Sequence, residues 1–304
     1  MQLLVPILRA QTATAVLSVA DALSAANSGQ GHVLGVVEVP RGPTDNLAAQ
    51  VAGRRHDLLR WIATIDAHKP SGRKGLAIQM RVCHNVSLGI REAVYENGSN
   101  LILIEWPGLT SRRPRILSAV LDDLVANPPA DLLLVRPGAR WGQDPLTVRK
   151  VLVPIRGGPN ARLALMAAVS LGEVHGADVT ALHIYGSEHH PRRRAAEVDM
   201  VHDLLNEFRY RHLELVEKDA ENVGEVIRDE GQGYDVIVLG AYAEASQPHV
   251  LVQSLLTPSL RHLEGTIILA KSTGNEEASA SDIGRASRKP CATSQPRSRR
   301  LPRI

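Results

Sequence analysis

The stretch "KVLVPIRGGPNARLAL", residues 150–165, decides how the second half of the chain folds. Its apolar residues 151–155 predict a buried strand. Gly157 and Gly158 predict a turn, and Pro159 with the apolar spacing after it predicts the start of a helix. A glycine turn between a strand and a helix can hold a phosphate, but it can also simply connect the two elements.

The chain repeats one sequence pattern. Four segments of the first half return in the same order in the second half, at offsets that fall from 148 to 135 residues. They are "LLVPI" at 3–7 and "VLVPI" at 151–155, "HNVSLGIRE" at 84–92 and "ENVGEVIRD" at 221–229, "NLILIEWPG" at 100–108 and "DVIVLGAYA" at 235–243, and "DLLLVRP" at 131–137 and "TIILAKS" at 266–272. A period this long indicates a duplicated domain.

The repeat and the composition together predict four segments. We predict a first unit at 1–135, a linker at 136–149, a second unit at 150–272 and a disordered basic tail at 273–304. The Pro- and Gly-containing sequence 136–149 is typical of a linker. Residues 275–304 carry seven basic and three acidic side chains, so the basic character of the chain comes from the tail.

Each unit alternates apolar runs with helical periods. Strands are predicted at 3–7, 33–38, 77–82, 100–105, 131–135, 151–155, 179–184, 213–217, 235–240 and 266–270. Helices are predicted at 12–27, 45–68, 86–96, 113–126, 159–174, 192–209, 222–231 and 248–263. This alternation predicts an α/β fold with a doubly wound parallel sheet of five strands in each unit. Right-handed crossovers then bring the glycine turn to the carboxyl edge of the sheet.

Composition limits the class of protein. Aromatic residues make up only 3% of the 304 residues, which argues against a nucleic-acid surface built on base stacking. The two cysteines form no disulfide framework, which fits a reducing compartment. The apolar amino terminus is too short for a signal peptide, and no apolar run is long enough to cross a bilayer. We therefore expect a soluble, cytoplasmic protein.

The two units resemble the universal stress protein family. The resemblance covers almost all of residues 3–271 and is carried by "VLVPIRGGPNARLAL" and by "DVIVLGAY…SLLTPSLRHLEGTIILA". It implies a Rossmann-like sheet of the adenine-nucleotide alpha-hydrolase-like type in each unit. It also implies that the last strands, "ADLLLV" and "TIILAK", pair across a pseudo-two-fold axis, so that one chain forms an intramolecular pseudo-dimer.

ATP-binding members of the family resemble one pattern: Asp after the first strand, Gly-x-x-Gly after the fourth, nine residues, then Gly and Ser or Thr. In the second unit these positions hold Arg156, Gly240, Ala243, Gln253 and Ser254, so two of five match. A large Gln at a position where a glycine cradles phosphate would block the close approach of the phosphate.

The first unit departs further from this pattern. Its five positions hold Leu8, Glu105, Gly108, Ser118 and Ala119, so only Gly108 matches. A carboxylate at Glu105 would repel phosphate.

The candidate ligand residues, for a nucleotide or another anion, are Arg156, Gly157, Gly158, Gly240 and Ser254. We expect Arg156 either to face an anion in the cleft or to lie on the surface. A cleft filled by Gln253 and Tyr242 would exclude a nucleotide.

Other motifs favour structural interpretations. Cys83 and His84 are neighbours at a strand end and would point to opposite faces, which does not suit a catalytic pair. His189 and His190 predict a solvated loop rather than a metal site, with an anionic-partner patch as the alternative. "PSGRKG" at 70–75 only superficially resembles a phosphate-binding loop. We assign no catalytic residue and no metal.

The sequence thus predicts a regulatory or sensor module that is not an enzyme. No cofactor is assigned, and its nucleotide site is degenerate. One alternative is an ATP-binding stress protein that uses Gly157, Gly158, Gly240 and Ser254, and another is a weak nucleotide hydrolase. The tryptophan in "ILIEWPG" and the arginine in "PIRGGPNARLAL" resemble the branch of the family associated with amino-acid permeases and cation antiporters, which implies a membrane transporter as partner. Further homodimerisation is a second expectation, and nucleic acid is not expected.

Overall fold

The fold is given by a computed structural model that describes residues 1–9, 12–42, 46–66, 76–106, 119–138, 148–186, 191–241 and 263–273. The predicted helix at 248–263 and the tail beyond Thr273 therefore lie outside the described residues, apart from Leu263 itself. Residues Met1–Thr273, which include both the first and the second unit, form one compact body.

The elements alternate as the sequence predicts. In the first unit they are β1 (Gln2–Ile7), α1 (Ala13–Ala26), β2 (Gln30–Glu38), α2 (Leu47–Asp66), β3 (Ala77–Cys83), α3 (Val86–Asn97), β4 (Leu101–Glu105), α4 (Ala119–Ala126) and β5 (Asp131–Arg136). In the second unit they are β6 (Lys150–Ile155), α5 (Pro159–His175), β7 (Asp178–Tyr185), α6 (Pro191–Asn206), β8 (Leu213–Asp219), α7 (Val223–Gly231), β9 (Val236–Gly240) and β10 (Thr266–Lys271).

The strands form one continuous sheet. Its order is β3-β2-β1-β4-β5-β10-β9-β6-β7-β8, and every pair is parallel except β5 with β10, which is antiparallel. The expected pairing of the two last strands is confirmed. This antiparallel pairing joins the two predicted five-stranded sheets into one continuous ten-stranded sheet, so neither β5 nor β10 remains an open edge.

Two apolar layers cover the sheet. Along β4, Leu101 and Leu103 pack in the layer that contains α1, α2, α5 and α6, whereas Ile102 and Ile104 pack in the layer that contains α3, α4 and α7. This division follows from the alternation of side chains along a strand. Both faces of the inner strands are buried, so these strands are almost entirely apolar, and the sequence therefore predicts them well.

Reciprocal hydrogen bonds close the joint between the units. After β10, the Ser272 hydroxyl and the Thr273 amide and hydroxyl donate to Oδ1 of Asp131, at 3.0, 2.7 and 2.9 Å. After β5, the Gly138 amide donates to Oγ1 of Thr266 at 2.9 Å. Asp131 and Thr266 are the first residues of β5 and β10, so each strand end is held by the start of its antiparallel partner.

The predicted segment boundaries shift slightly at this joint. β5 continues through Arg136, whose Nη2 donates to the carbonyl oxygens of Leu263 and Gly265 at 2.8 and 3.2 Å, so the strand runs one residue into the predicted linker. Thr273, the first residue of the predicted tail, belongs to the compact body formed by residues Met1–Thr273. None of the helices in the described ranges is long and apolar enough to cross a membrane.

Candidate functional site

Each unit has a point where its strand order reverses. In the second unit β6 lies between β9 and β7, and in the first unit β1 lies between β4 and β2. Chains leaving two such neighbouring strands turn to opposite faces of the sheet, which opens a crevice at the carboxyl edge. The candidate residues Arg156, Gly157, Gly158 and Gly240 lie at this edge of the second unit, whereas Ser254 lies outside the described residues.

The glycine turn of the second unit has the backbone that only glycine adopts readily. Gly157 has φ +94° and Gly158 has φ +84°. Gly158 caps α5, and its carbonyl oxygen accepts hydrogen bonds from the amides of Ala161 at 3.1 Å and Arg162 at 3.2 Å. Pro159 is the first helical residue, as predicted. The Arg156 side chain is exposed.

A methionine covers this turn. A Cβ added at Gly157 would lie 2.4 Å from Cε and 2.6 Å from Sδ of Met200, a residue of α6. The space beside Gly157 is therefore occupied by the protein's own thioether side chain.

Asn160 closes the other side of the crevice. A Cβ added at Gly240 would lie 3.2 Å from the carbonyl carbon and oxygen of Asn160, so the end of β9 touches the first turn of α5. Nδ2 of Asn160 donates to the Ala241 carbonyl oxygen at 2.8 Å, and its Oδ1 accepts from the Ser272 amide at 2.7 Å. Because Gly240 has no side chain, the start of α5 packs against the end of β9, and the hydrogen bonds of Asn160 hold the two elements together.

A buried histidine lies beside the same turn. His183 on β7 is 1% exposed, and its Nδ1 lies 2.9 Å from the carbonyl oxygen of Ile155, the last residue of β6. Its ring packs edge-on against Tyr185, whose hydroxyl donates to Glu217. Burial, and then this hydrogen bond, raise the pKa of Tyr185 to about 12.

The first unit has a different crevice. Glu105, the last residue of β4, is 4% exposed, and neither of its carboxylate oxygens has a side-chain hydrogen-bond partner among the residues described. Burial raises the pKa of Glu105 to about 7, although the charges of Arg9 and Arg54 and a hydrogen bond with the Arg9 backbone act in the opposite direction.

Two further polar groups of this crevice are buried without partners. Nη2 of Arg54, on α2, donates to the carbonyl oxygen of Ile7 at the end of β1. The guanidinium also lies 5.7 Å from the ring centroid of Trp61. Its Nε and the hydroxyl of Thr12 are buried, and within the described ranges neither has a partner.

The start of α1 explains how a glutamate fits where the second unit has glycine. Glu105 corresponds to Gly240, because the residue after each donates its amide to the next strand at 2.7 Å. With the offset of 148 residues between β1 and β6, Ala13 aligns with Ala161, so α1 begins two residues later than α5. A Cβ at Gly240 would already lie 3.2 Å from the backbone of Asn160 in α5. A larger side chain at the equivalent position of the first unit therefore fits because α1 begins later than α5.

Of the remaining predicted positions, the structure describes Leu8 and Ala119. Leu8 is half-buried after β1, and Ala119 is the first residue of α4. Positions 107–118 and 242–262, which include Gly108, Ser118, Tyr242, Ala243 and Gln253, lie outside the described residues, as do 70–75 and both His189 and His190.

No metal or nucleophile arrangement emerges from the described ranges. They contain no group of three or more His, Cys, Asp or Glu side chains that could hold a metal ion. Burial raises the pKa of the Cys83 thiol, which disfavours the nucleophilic thiolate. Nδ1 of His84 lies 2.9 Å from the carbonyl oxygen of Val39.

Sequence reasoning missed Asn160, Met200, His183 and Arg54. The two partners of the Asn160 amide lie 81 and 112 residues away in sequence, so no local pattern indicates them. The available signal was the repeat itself, which aligns Asn160 with Thr12 and Gly240 with Glu105.

Comparisons with known proteins agree with this fold. Residues 147–253 match the sequence model of the universal stress protein family. A universal stress protein from Archaeoglobus fulgidus DSM 4304 superposes with a TM-score of 0.59 at 13% identity, over 90% of this chain and 97% of that one. The cytoplasmic domain of a prokaryotic cation chloride cotransporter superposes with a TM-score of 0.59 at 14% identity, over 92% of this chain and 98% of that one.

A third structure, the functionally unknown protein PA1789 from Pseudomonas aeruginosa PAO1, superposes with a TM-score of 0.55 at 15% identity, over 94% of this chain and 97% of that one. No curated protein matches the chain. At these identities the structural likeness concerns the fold alone. The sequence of residues 147–253 thus matches the universal stress protein family, and the fold of the whole chain is similar to that of a solved universal stress protein.

Proposed function

We propose that the chain is a non-catalytic regulatory or sensor module whose nucleotide site in the second unit is degenerate. The observation that carries this proposal is the occupation of the second crevice by the protein's own side chains. Asn160 bridges the ends of β9 and β10, and Met200 lies over Gly157. A phosphate needs that space and those small residues, so we expect neither binding nor hydrolysis of a nucleotide.

The first unit supports the same proposal. Its crevice contains the buried carboxylate of Glu105 where a phosphate-binding site would offer backbone amides. A negative charge at this position opposes a bound phosphate through repulsion in a site of low dielectric.

The direct test is calorimetric titration of the full chain with ATP, ADP and cyclic AMP in the presence of magnesium, together with an assay of phosphate release. We expect no saturable heat and no release. Micromolar binding that disappears in Gly240→Glu would overturn the proposal, because that substitution places a carboxylate where the first unit already has one. Phosphate release that a substitution in the crevice abolishes would establish the hydrolase alternative instead.

One observation favours a second candidate, a nucleotide-binding stress protein. Gly157 and Gly158 keep positive φ angles at the amino terminus of α5, a 17-residue helix, which is the backbone form of a phosphate-binding turn. For this candidate, Met200 would have to move away from Gly157 when the nucleotide binds. The titration above separates the two candidates.

We further propose a membrane transporter as the regulated partner. The support is the likeness of the whole fold to the cytoplasmic domain of a prokaryotic cation chloride cotransporter. The proposal predicts that crosslinking in intact cells joins the chain to an integral membrane transport protein, and that the crosslink survives purification of the membranes. Recovery of the crosslinked chain only with itself or with non-membrane proteins would contradict this.

A further inference from the structure

We propose that β3 pairs antiparallel with β3 of a second copy of this chain, so that two ten-stranded sheets join around a two-fold axis. Among the described strands, β3 (Ala77–Cys83) and β8 (Leu213–Asp219) are the two ends of the strand order, so each has one side without a neighbouring strand. An outer strand presents unpaired amide and carbonyl groups to which another chain can pair. This inference goes beyond the function proposed above, because it names a surface and the partner that fits it.

The backbone of β3 leaves three residues able to pair outward. The carbonyl oxygen of Cys83 accepts from the amide of Val39 at 2.9 Å, so the backbone groups of Cys83 point towards β2 and the residue that follows it. Because these groups alternate in direction along a strand, the amides and carbonyls of Ile78, Met80 and Val82 point away from the sheet. In the part of the chain that the structure describes, no residue bonds them on that side.

An antiparallel register centred on Met80 suits both the backbone and the side chains. It places Met80 opposite its own copy and Ile78 opposite Val82 of the second copy, so all three outward residues enter hydrogen-bonded pairs. Apolar side chains then lie opposite one another, which stabilises a sheet. No like charges are directly opposed, since the remaining pairs are Gln79 with Arg81 and Ala77 with Cys83.

β3 lacks the charges that usually protect an outer strand from pairing. Its single charged residue is Arg81, whose guanidinium forms ion pairs with Glu92 at 2.7 Å and with Glu96, both on α3. In contrast, β8 has four charged residues among its seven, namely Glu214, Glu217, Lys218 and Asp219. Pairing between copies is therefore opposed at β8 and not at β3.

Exposed apolar side chains concentrate beside the same strand. On α3, Leu88 and Tyr95 lie one turn before and one turn after Glu92, on the helix face that reaches Arg81 of β3. Around the two-fold axis, this arrangement brings Leu88 of one copy towards Tyr95 of the other. Six large apolar side chains are exposed in the described ranges, and four of them belong to β3 or to α2 and α3, the helices that pack on it: Leu59, Val82, Leu88 and Tyr95.

The chain already contains a joint of this kind. β5 and β10 are the equivalent last strands of the two units, and they pair antiparallel. Helices α1 and α5 pack on each other across that joint, where Nδ2 of Asn27 donates to Oγ of Ser170 at 2.9 Å. A joint between two copies of β3 repeats this arrangement at the outer end of the first unit, with α2 and α3 of each copy beside it.

The first experiment is sedimentation equilibrium of the full chain and of Val82→Lys. We expect the native chain to form a dimer and Val82→Lys to weaken it at least about tenfold, because the new charge would lie opposite Ile78 of the second copy. The matched control is Val223→Lys, at the start of α7. Val223 is 43% exposed and Val82 is 42% exposed, so the control should leave the dimer unchanged.

The second experiment tests the register by disulfide formation. Ala77→Cys is made in a chain that also carries Cys291→Ser and is oxidised in air with copper phenanthroline. Positions 77 and 83 of one strand are about 20 Å apart, so a disulfide between the new thiol and Cys83 forms only between copies. We expect a disulfide-linked dimer. Glu214→Cys, on the outer strand β8, is the control and should not link to Cys83.

Three results would overturn the inference: a chain that stays monomeric up to about 100 μM, an equal effect of Val82→Lys and Val223→Lys on the dimer, or no more crosslinking of Ala77→Cys than of Glu214→Cys. A disulfide within one chain between the new thiol and Cys291, in Ala77→Cys that retains Cys291, would place the tail on β3 and exclude the second copy. If circular dichroism shows that Val82→Lys fails to fold, the disulfide experiment still decides. Nucleotide titration and phosphate release do not depend on β3, so this inference and the proposed function fail independently.

Discussion

Replacing Glu105 by Gln should remove a destabilisation of the native state that appears only as the pH rises. Burial raises the pKa of this carboxyl from its usual value of 4.5 to about 7 in the folded chain. The folded state therefore prefers the protonated form. Relative to an ordinary glutamate, the native state keeps its full stability below about pH 4.5 and loses stability as the pH rises through about 7.

The magnitude follows from the two pKa values. Their separation is about 2.5 units, and each unit corresponds to about 1.4 kcal/mol, so the full loss is about 3 kcal/mol at about pH 8. At about pH 5 the loss is still under about 1 kcal/mol. Gln has nearly the same shape and does not titrate, so any cost of burying its amide is the same at both pH values.

The assay is the urea unfolding midpoint and slope of the native chain and of Glu105→Gln, at about pH 5 and about pH 8. The free energy of unfolding of the variant, minus that of the native chain, should be about 2–3 kcal/mol larger at the higher pH than at the lower, so the variant gains stability relative to the native chain. Glu92→Gln, at an exposed glutamate, controls for the general effect of the substitution. An equal stability difference at both pH values would refute the argument that burial of Glu105 sets its pKa.

Three other substitutions test the packing of the crevice and the joint between the units. Gly240→Val should lower the free energy of unfolding by about 1–3 kcal/mol, because the new Cβ would lie 3.2 Å from the backbone of Asn160 in α5. Gly233→Ala, where an added Cβ has no neighbouring atom within 4 Å, should be nearly neutral in the same denaturation experiment. Asn160→Ala should cost about 1–3 kcal/mol of unfolding free energy, since it leaves two backbone partners without their hydrogen bonds; an unchanged stability would contradict this. Asp131→Ala removes three hydrogen bonds that hold the end of β10, so amide exchange of β10 should accelerate while that of β8 stays unchanged.

Much of the fold could be predicted from the sequence because the signal is local. The inner strands are buried on both faces, so runs such as "VIVLG" at 236–240 are apolar throughout, and the helices between the strands have the 3.6-residue period of an amphipathic helix. Predicted and observed bounds of the described strands differ by at most three residues. The pairing of β5 with β10 was implied only by the resemblance to the universal stress protein family, because it depends on how two strands far apart in sequence meet rather than on any one stretch.

The candidate site was predicted only in part. Gly157, Gly158 and Gly240 do converge at the carboxyl edge, as the alternation of strands and helices implies. What fills the crevice depends on contacts between residues far apart in sequence, such as Asn160 with Ser272, and on the path of α6 that brings Met200 over the turn. A single sequence carries no local trace of such contacts.

The most direct test of the account is the methyl NMR spectrum of the full chain labelled at methionine, recorded while magnesium and ATP are added. The chain has four methionines, and Met200→Leu identifies the Met200 signal, which reports on the methyl group over Gly157. If the protein's own side chains close the second crevice, the Met200 methyl resonance stays in place as ATP is added. A saturable shift of that resonance would show that nucleotide displaces Met200, and it would contradict the claim that the second site is closed.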